Sequence, residues 1–195
     1  MGIFDCFKKQ DPAPEVPSAP KAEPKPFGPT LIEIARIISG GDEEVLQDVT
    51  SCAQDPKGWF AAHQERYEER GVVDDPDDLD QVQWLGLVDI LEERGWVCDR
   101  DWKDELEDFS YFLQNLKGFQ ALGLELDESW FDEDEDIPAW CTVLTEKWRS
   151  QEVRVAAINI NTDSYVLFPT TYAHLDELQK LAGKIGQCID CVEQM

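Results

Sequence analysis

The sequence predicts an α+β fold: one domain with a small, mostly antiparallel C-terminal sheet packed against about six acidic amphipathic helices. Three observations carry that expectation. Val153 to Ile160 is almost continuously apolar and β-branched, the pattern of a strand covered on both faces. The polar cluster Asn161-Thr162-Asp163-Ser164 separates it from a second short apolar run, Tyr165 to Phe168, as a turn between two strands would. Leu175, Leu178, Leu181, Ala182 and Ile185 then recur at helical spacing up to Gly186, after which Gln187 to Val192 is expected to return as a third strand.

The segments before this sheet follow in order. Met1 to Gln10 is a short amphipathic tip in which Ile3, Phe4 and Phe7 stand beside Lys8 and Lys9. Gly2 and Cys6 give it the outline of a lipidated start, but a myristoylation signal wants Ser or Thr where Cys6 stands. Residues 11–28 are rich in Pro, Ala, Glu and Lys, a disordered linker with too little apolar surface to fold. The acidic α+β domain is expected over residues 29–195. Pro29 opens its first helix, with Leu31, Ile32, Ala35 and Ile38 inward and Gly40-Gly41 as its stop. Asp42 caps a second helix, and Asp55-Pro56 starts a third that runs to about Arg70 and presents Trp59, Phe60, His63 and Tyr67. Asp75 and Pro76 repeat the cap-then-proline device for a helix reaching Arg94, with Leu79, Val82, Leu85, Val88 and Leu91 buried. Trp96 and Val97 read as a brief strand or packed connection. Trp102 then starts a periodic helix whose stripe is Leu106, Phe109, Phe112, Leu113 and Leu116, with Trp102 itself expected to pack. Pro138 to Trp148 is a further helix. Pro169 predicts that the second strand ends there or lies at an edge.

Composition bounds the function classes. The chain has 195 residues, enough for one full core, and its 42 Asp plus Glu against 17 Lys plus Arg give a formal charge of −25. Such a surface repels nucleic acid and anionic lipid and attracts basic proteins and cations. No apolar run approaches the length of a membrane span, so stable membrane insertion is not expected. The six cysteines, with no secretory leader read ahead of them, are expected to be free or buried thiols in a reducing cytoplasm.

The candidate chemistry is weak at every point. The acid runs holding Asp74, Asp75 and Asp77 and then Asp132, Asp134 and Asp136 look metal-like. Both lack the central Gly and the closing Glu of a calcium loop, so helix capping is the better reading of the first. Cys188 and Cys191 have a redox or metal spacing, yet there is no second pair, and the position after a helix is wrong for a stabilised thiolate. His63 and His174 form no zinc or nucleophile pattern, and no phosphate loop is present. No catalytic, cofactor or metal set is therefore assigned. Asp101, Asp104, Glu105 and Asp108, crowded at the start of the Trp102 helix, are the candidate contacts for a basic protein partner.

Trp102-Lys103 with its acidic helix, and Asp163-Ser164-Tyr165-Val166-Leu167-Phe168 followed by Leu175 to Ile185, resemble the bacterial domain-of-unknown-function family catalogued as number 6630. The resemblance covers about Leu31 to Cys191. It implies a small cytoplasmic bacterial protein, and it carries over no functional residue. The leading expectation is thus a non-enzymatic module that binds a basic protein. The alternatives are a divalent-cation-dependent enzyme built on clustered Asp and Glu, a nucleic-acid mimic, and a toxin-neutralising protein of the immunity type.

Overall fold

The computed structural model describes residues 26–72 and 78–195. The tip, nearly all of the linker, and Asp74, Asp75, Pro76 and Asp77 lie outside them. The described residues form an α+β domain with nine α-helices and one four-stranded antiparallel sheet in the C-terminal half. In chain order these are α1 (Phe27–Ile38), α2 (Glu43–Gln54), α3 (Pro56–Ala62), α4 (Gln64–Glu69), α5 (Leu79–Glu93), β1 (Cys98–Asp101), α6 (Leu106–Gln114), α7 (Lys117–Ala121), α8 (Ile137–Lys147), β2 (Val153–Ile158), β3 (Ser164–Thr171), α9 (Tyr172–Lys184) and β4 (Ile189–Cys191). No helix among them is long and apolar enough to cross a membrane.

The sheet order is β1-β3-β2-β4. The β2–β3 hairpin is its centre, with Ala157 opposite Leu167 and Val153 opposite Thr171. Because β4 pairs antiparallel with β2, it runs parallel to β3, and α9 is the crossover between them. Strand β2 is continuously apolar because both of its faces are buried. Val153, Val155 and Ala157 enter one apolar cluster, while Ala156 and Ile158 enter the other. Helices α1, α2, α5 and α9 fill the first cluster with Leu31, Ile34, Val45, Leu87, Leu91 and Leu178. Helices α6, α7 and α8 fill the second, where Trp140 and Trp148 are almost wholly buried. Each indole N–H still reaches a carbonyl, Trp140 to Asp132 at 2.8 Å and Trp148 to Glu125 at 2.9 Å. Burial without such a partner would forfeit a hydrogen bond. The second layer is one uninterrupted stretch of chain that leaves the sheet after Asp101 and rejoins it at Val153.

Several expectations need correction, each for a local reason. The first helix starts at Phe27, two residues before Pro29. The third helix breaks at His63, whose Nδ1 lies 2.9 Å from the Trp59 carbonyl and whose ring stacks on Trp59 at 4.1 Å. That side chain competes with the helix for its own backbone acceptor. The helix expected from Trp102 to Leu116 starts only at Leu106 and ends at Gln114. Trp102 sits in a turn with half its surface exposed, so it does not pack in the core. The brief strand falls at Cys98–Asp101, just after Trp96 and Val97. A short separate helix, α7, follows α6 over Lys117–Ala121. Pro169 does not end its strand: β3 continues to Thr171 opposite β2. On its other side β1 has already ended at Cys98, opposite Leu167, so the strand is locally an edge where the proline stands. Gly118 of α7 lies over that position, where an added Cβ would stand 3.6 Å from the proline ring, an ordinary contact distance.

Asp42 ties three elements together. Its Oδ1 accepts from the backbone N–H of Glu44 and Val45, the N-cap of α2, and its Oδ2 accepts from the Trp96 indole at 3.0 Å and from Lys117 Nζ at 3.1 Å. These bonds, the Trp96 one foremost, hold its carboxyl down at about 2.

Candidate functional site

Helix α6 builds the most distinctive surface. It buries Phe109, Ser110 and Leu113, and Phe109 is locked against Trp140 and Phe131 with ring centroids at 5.3 and 6.3 Å. With that face fixed, the 3.6-residue repeat turns Glu107, Asp108, Tyr111 and Phe112 outward. Tyr111 is 63% exposed and Phe112 39%, both high for aromatics. The two rings meet edge to face at 5.3 Å. The Arg100 guanidinium lies 3.9 Å above the Phe112 ring, a cation–π contact that shields it, and the same Arg100 pairs with Asp104 at 2.8 Å. Tyr111 has no such cover. It borders a groove of about 590 Å³ lined also by Glu107, Asp108, Gln114, Asn115 and Glu128. Glu107, Asp108 and Glu128 have no ion-pair partner among the described residues. Clustered carboxylates beside an open ring suit a Lys or Arg side chain, which can meet negative charge and a π face together.

The four acids assigned to a basic partner separate into two kinds. Glu105 and Asp108 are exposed at the first turn of α6, where the positive end of the helix dipole offsets part of their repulsion. Asp104 is turned inward to Arg100, and burial raises its carboxyl above the usual range against the pull of that arginine. Asp101 ends β1 and accepts from the Lys103 N–H at 2.9 Å, which holds the turn. Sequence reasoning missed Tyr111 and Glu128, although Tyr111 lies off the apolar stripe and an exposed ring was the available signal.

Asp132, Asp134 and Asp136 do not converge. Asp132 accepts from the Asp134 N–H at 3.1 Å, a local turn, and Asp136 caps α8 through the Ala139 N–H at 3.0 Å. Among the described residues no three His, Cys, Asp or Glu side chains are placed to hold one metal ion. Cys188 is exposed before β4 and Cys191 is buried within it, and both are free thiols. Burial pushes Cys191 up to about 11. Of the histidines, His63 is spent on the Trp59 carbonyl, and His174 is exposed in the first turn of α9.

One charged cluster is gathered around the buried Asp89. Asp89 of α5 receives Arg70 at 2.7 Å and Arg66 at 3.4 Å, Glu92 takes Arg66 at 3.2 Å, and Arg70 reaches Asp99 of β1 at 3.1 Å. Desolvation raises the Asp89 carboxyl, and the two arginines pull against it. Every charge there has a partner, so the cluster pins α4 to α5 and β1 and presents no free group for chemistry.

The family model described as Domain of unknown function (DUF6630) matches residues 30–192. No curated protein and no solved structure matches the chain.

Proposed function

The chain belongs to the DUF6630 family, and from that premise we propose that it is a non-enzymatic, cytoplasmic protein-binding module that receives a basic segment of another protein on the outer face of α6. The observation that carries this is the exposed Tyr111 ring set among Glu107, Asp108 and Glu128, which no cation of the described chain neutralises. Three features support it. A charge of −25 draws basic partners by long-range attraction and repels nucleic acid. The rigid packing of Phe109 fixes the groove before a partner arrives, so little ordering cost is added on binding. The free thiols fit a reducing compartment.

The test separates a site from a diffuse field. A Lys/Arg-rich peptide is titrated at physiological salt into wild type, into Glu107→Gln/Asp108→Asn, and into the charge-matched control Asp132→Asn/Asp134→Asn. Two surface contacts worth up to about 1 kcal/mol each predict a loss of roughly tenfold in affinity for the first variant. The control should bind as wild type does. Equal weakening in both variants would show that only net charge matters and would refute the α6 site.

A further inference from the structure

The cleft at the turn end of the β2–β3 hairpin is a second site, independent of the α6 surface. Strand register creates it. Asp101 of β1 lies opposite Ser164 of β3, so Trp102, one residue on, stands next to the Asn159–Ser164 turn. The resulting cavity of about 480 Å³ is lined by Trp102, Asn159, Thr162, Asp163, Ser164 and Tyr165, with Met195 at its border. That is within the size of pockets that hold small molecules.

The two sides of this cleft differ in chemistry. One side is aromatic: Trp102 is 51% exposed, Lys103 Nζ lies 4.6 Å from its ring centre, and the half-buried Tyr165 continues the wall. The other side is polar and held in shape. Asn159 is fixed three times over: its N–H donates to the Cys188 carbonyl at 3.0 Å, its carbonyl accepts from the Trp84 indole at 2.8 Å, and its Oδ1 accepts from the Asn161 N–H at 2.7 Å. That last bond assigns the side-chain amide, leaving Nδ2 without a hydrogen bond among the described residues. Asn161 adopts the left-handed conformation, φ 59°, that closes the turn. Thr162 and Ser164 hydroxyls lie 2.9 Å apart, and Asp163 adds an exposed acceptor. The cavity lining contains no cationic side chain.

A fixed rim of amide, hydroxyl and carboxylate facing a half-exposed indole, which carries Lys103 Nζ over its ring, matches one ligand chemistry. Neutral sugars carry adjacent hydroxyls that both donate and accept, and their C–H faces stack on aromatic rings. Phosphates, sugar acids and nucleotides must cross the field of an acidic protein, and the one ammonium beside the cleft, that of Lys103, lies over the Trp102 ring. We propose that this cleft binds a neutral saccharide, stacked on Trp102 and hydrogen-bonded by Asn159, Asp163 and the Thr162–Ser164 hydroxyl pair.

The full chain, labelled with 15N, is titrated with maltose, cellobiose and N,N′-diacetylchitobiose, and separately with galacturonic acid and adenosine. The expected result is saturable shifts of the Trp102 Nε1–H and Asn159 Nδ2–H2 signals with at least one neutral disaccharide and none with the other two ligands. Trp102→Ala should weaken that binding tenfold or more, Trp102→Phe less. Asp163→Ala, at an exposed position, should also weaken it, which covers the case in which the tryptophan variant does not fold. The proposal is overturned if no neutral saccharide gives saturable shifts at the cleft. It is equally overturned if binding survives both Trp102→Ala and Asp163→Ala unchanged, or if adenosine or galacturonic acid binds there and the neutral sugars do not.

Discussion

Replacing Asp42 with Ala removes in one step the cap of α2, an acceptor for the Trp96 indole and the partner of Lys117. Loss of an N-cap costs about 1 kcal/mol, with a range of roughly 0.5–2. The indole bond adds on the order of 0.5–1 kcal/mol, because Trp96 is only half-buried and water can replace the carboxylate. The lysine pair, with Lys117 Nζ half exposed, adds roughly 0–1 kcal/mol. The expected destabilisation at neutral pH is therefore about 2–3 kcal/mol, a fall in Tm of roughly 5–10 °C for a chain this long. Asp42→Asn keeps one oxygen for the cap but turns an NH2 toward the Trp96 indole N–H and Lys117, so it should recover only the cap's share of the loss, about 1 kcal/mol. The pH dependence gives an independent check. The folded carboxyl sits at about 2 against an ordinary 3.8, so its stabilisation is fully present above about pH 4 and is lost as pH falls toward 2. Taken at face value that drop corresponds to about 2 kcal/mol, and solvent access to the side chain reduces it toward about 1. Urea denaturation of wild type and Asp42→Ala between pH 7 and 3 should show the two curves converging. Equal stability at pH 7, or a gap that stays constant down to pH 3, would refute the reasoning.

Gly86→Ala should destabilise by about 1–3 kcal/mol despite the better helix propensity of alanine. A Cβ built there lies 2.8 Å from Cys52 Sγ and 2.9 Å from Tyr67 Oη, and the Tyr67 hydroxyl is held by the Val82 carbonyl. Thermal denaturation reads the change, and a variant as stable as wild type would show that the α2–α5 contact yields freely. Native alkylation with iodoacetamide, followed by peptide mass spectrometry, should modify Cys188 well before Cys52, Cys98, Cys141 or Cys191. Burial pushes Cys52 and Cys98 up to about 12, so almost no thiolate forms at neutral pH. Rapid labelling of Cys141, which is fully buried on the inner face of α8, would contradict the packing of the second apolar cluster.

What was legible in the chain follows the strength of each local signal. The hairpin of β2 and β3 was readable because an apolar β-branched run, a polar turn and a second run occur in sequence, and tertiary packing had nothing to override. Helix α9 was readable for the same reason, with four of its apolar residues on one face and buried. Strand β1 was hidden: Cys98-Asp99-Arg100-Asp101 has no β-branched residue, and it is a strand because β3 offers it hydrogen bonds at the sheet edge. Charged residues suit that position, since they discourage further strand pairing. The break at His63 carried no glycine or proline to mark it. At the candidate site the acid cluster before α6 was visible, but which acids remain free was not. Asp104 is occupied by Arg100, whose role at Phe112 depends on a strand the sequence did not announce. Spacing showed how many carboxylates lie near one another; only the fold shows which are already engaged.

The second layer, α6 to α8, is supplied by a single departure from the sheet between β1 and β2. Its two ends are anchored in β1 and β2, both of which pair with β3, so their spacing is set by the sheet and not by what lies between them. Such an excursion behaves as a cassette. Its outer face can be rewritten, and its connecting turns lengthened, while Trp140, Trp148 and Phe109 keep the inner face filled and Lys117 keeps its tie to Asp42 of the opposite layer. Sequence change thus has a separate part of the chain to work on, where a new outer surface need not disturb the register of the strands.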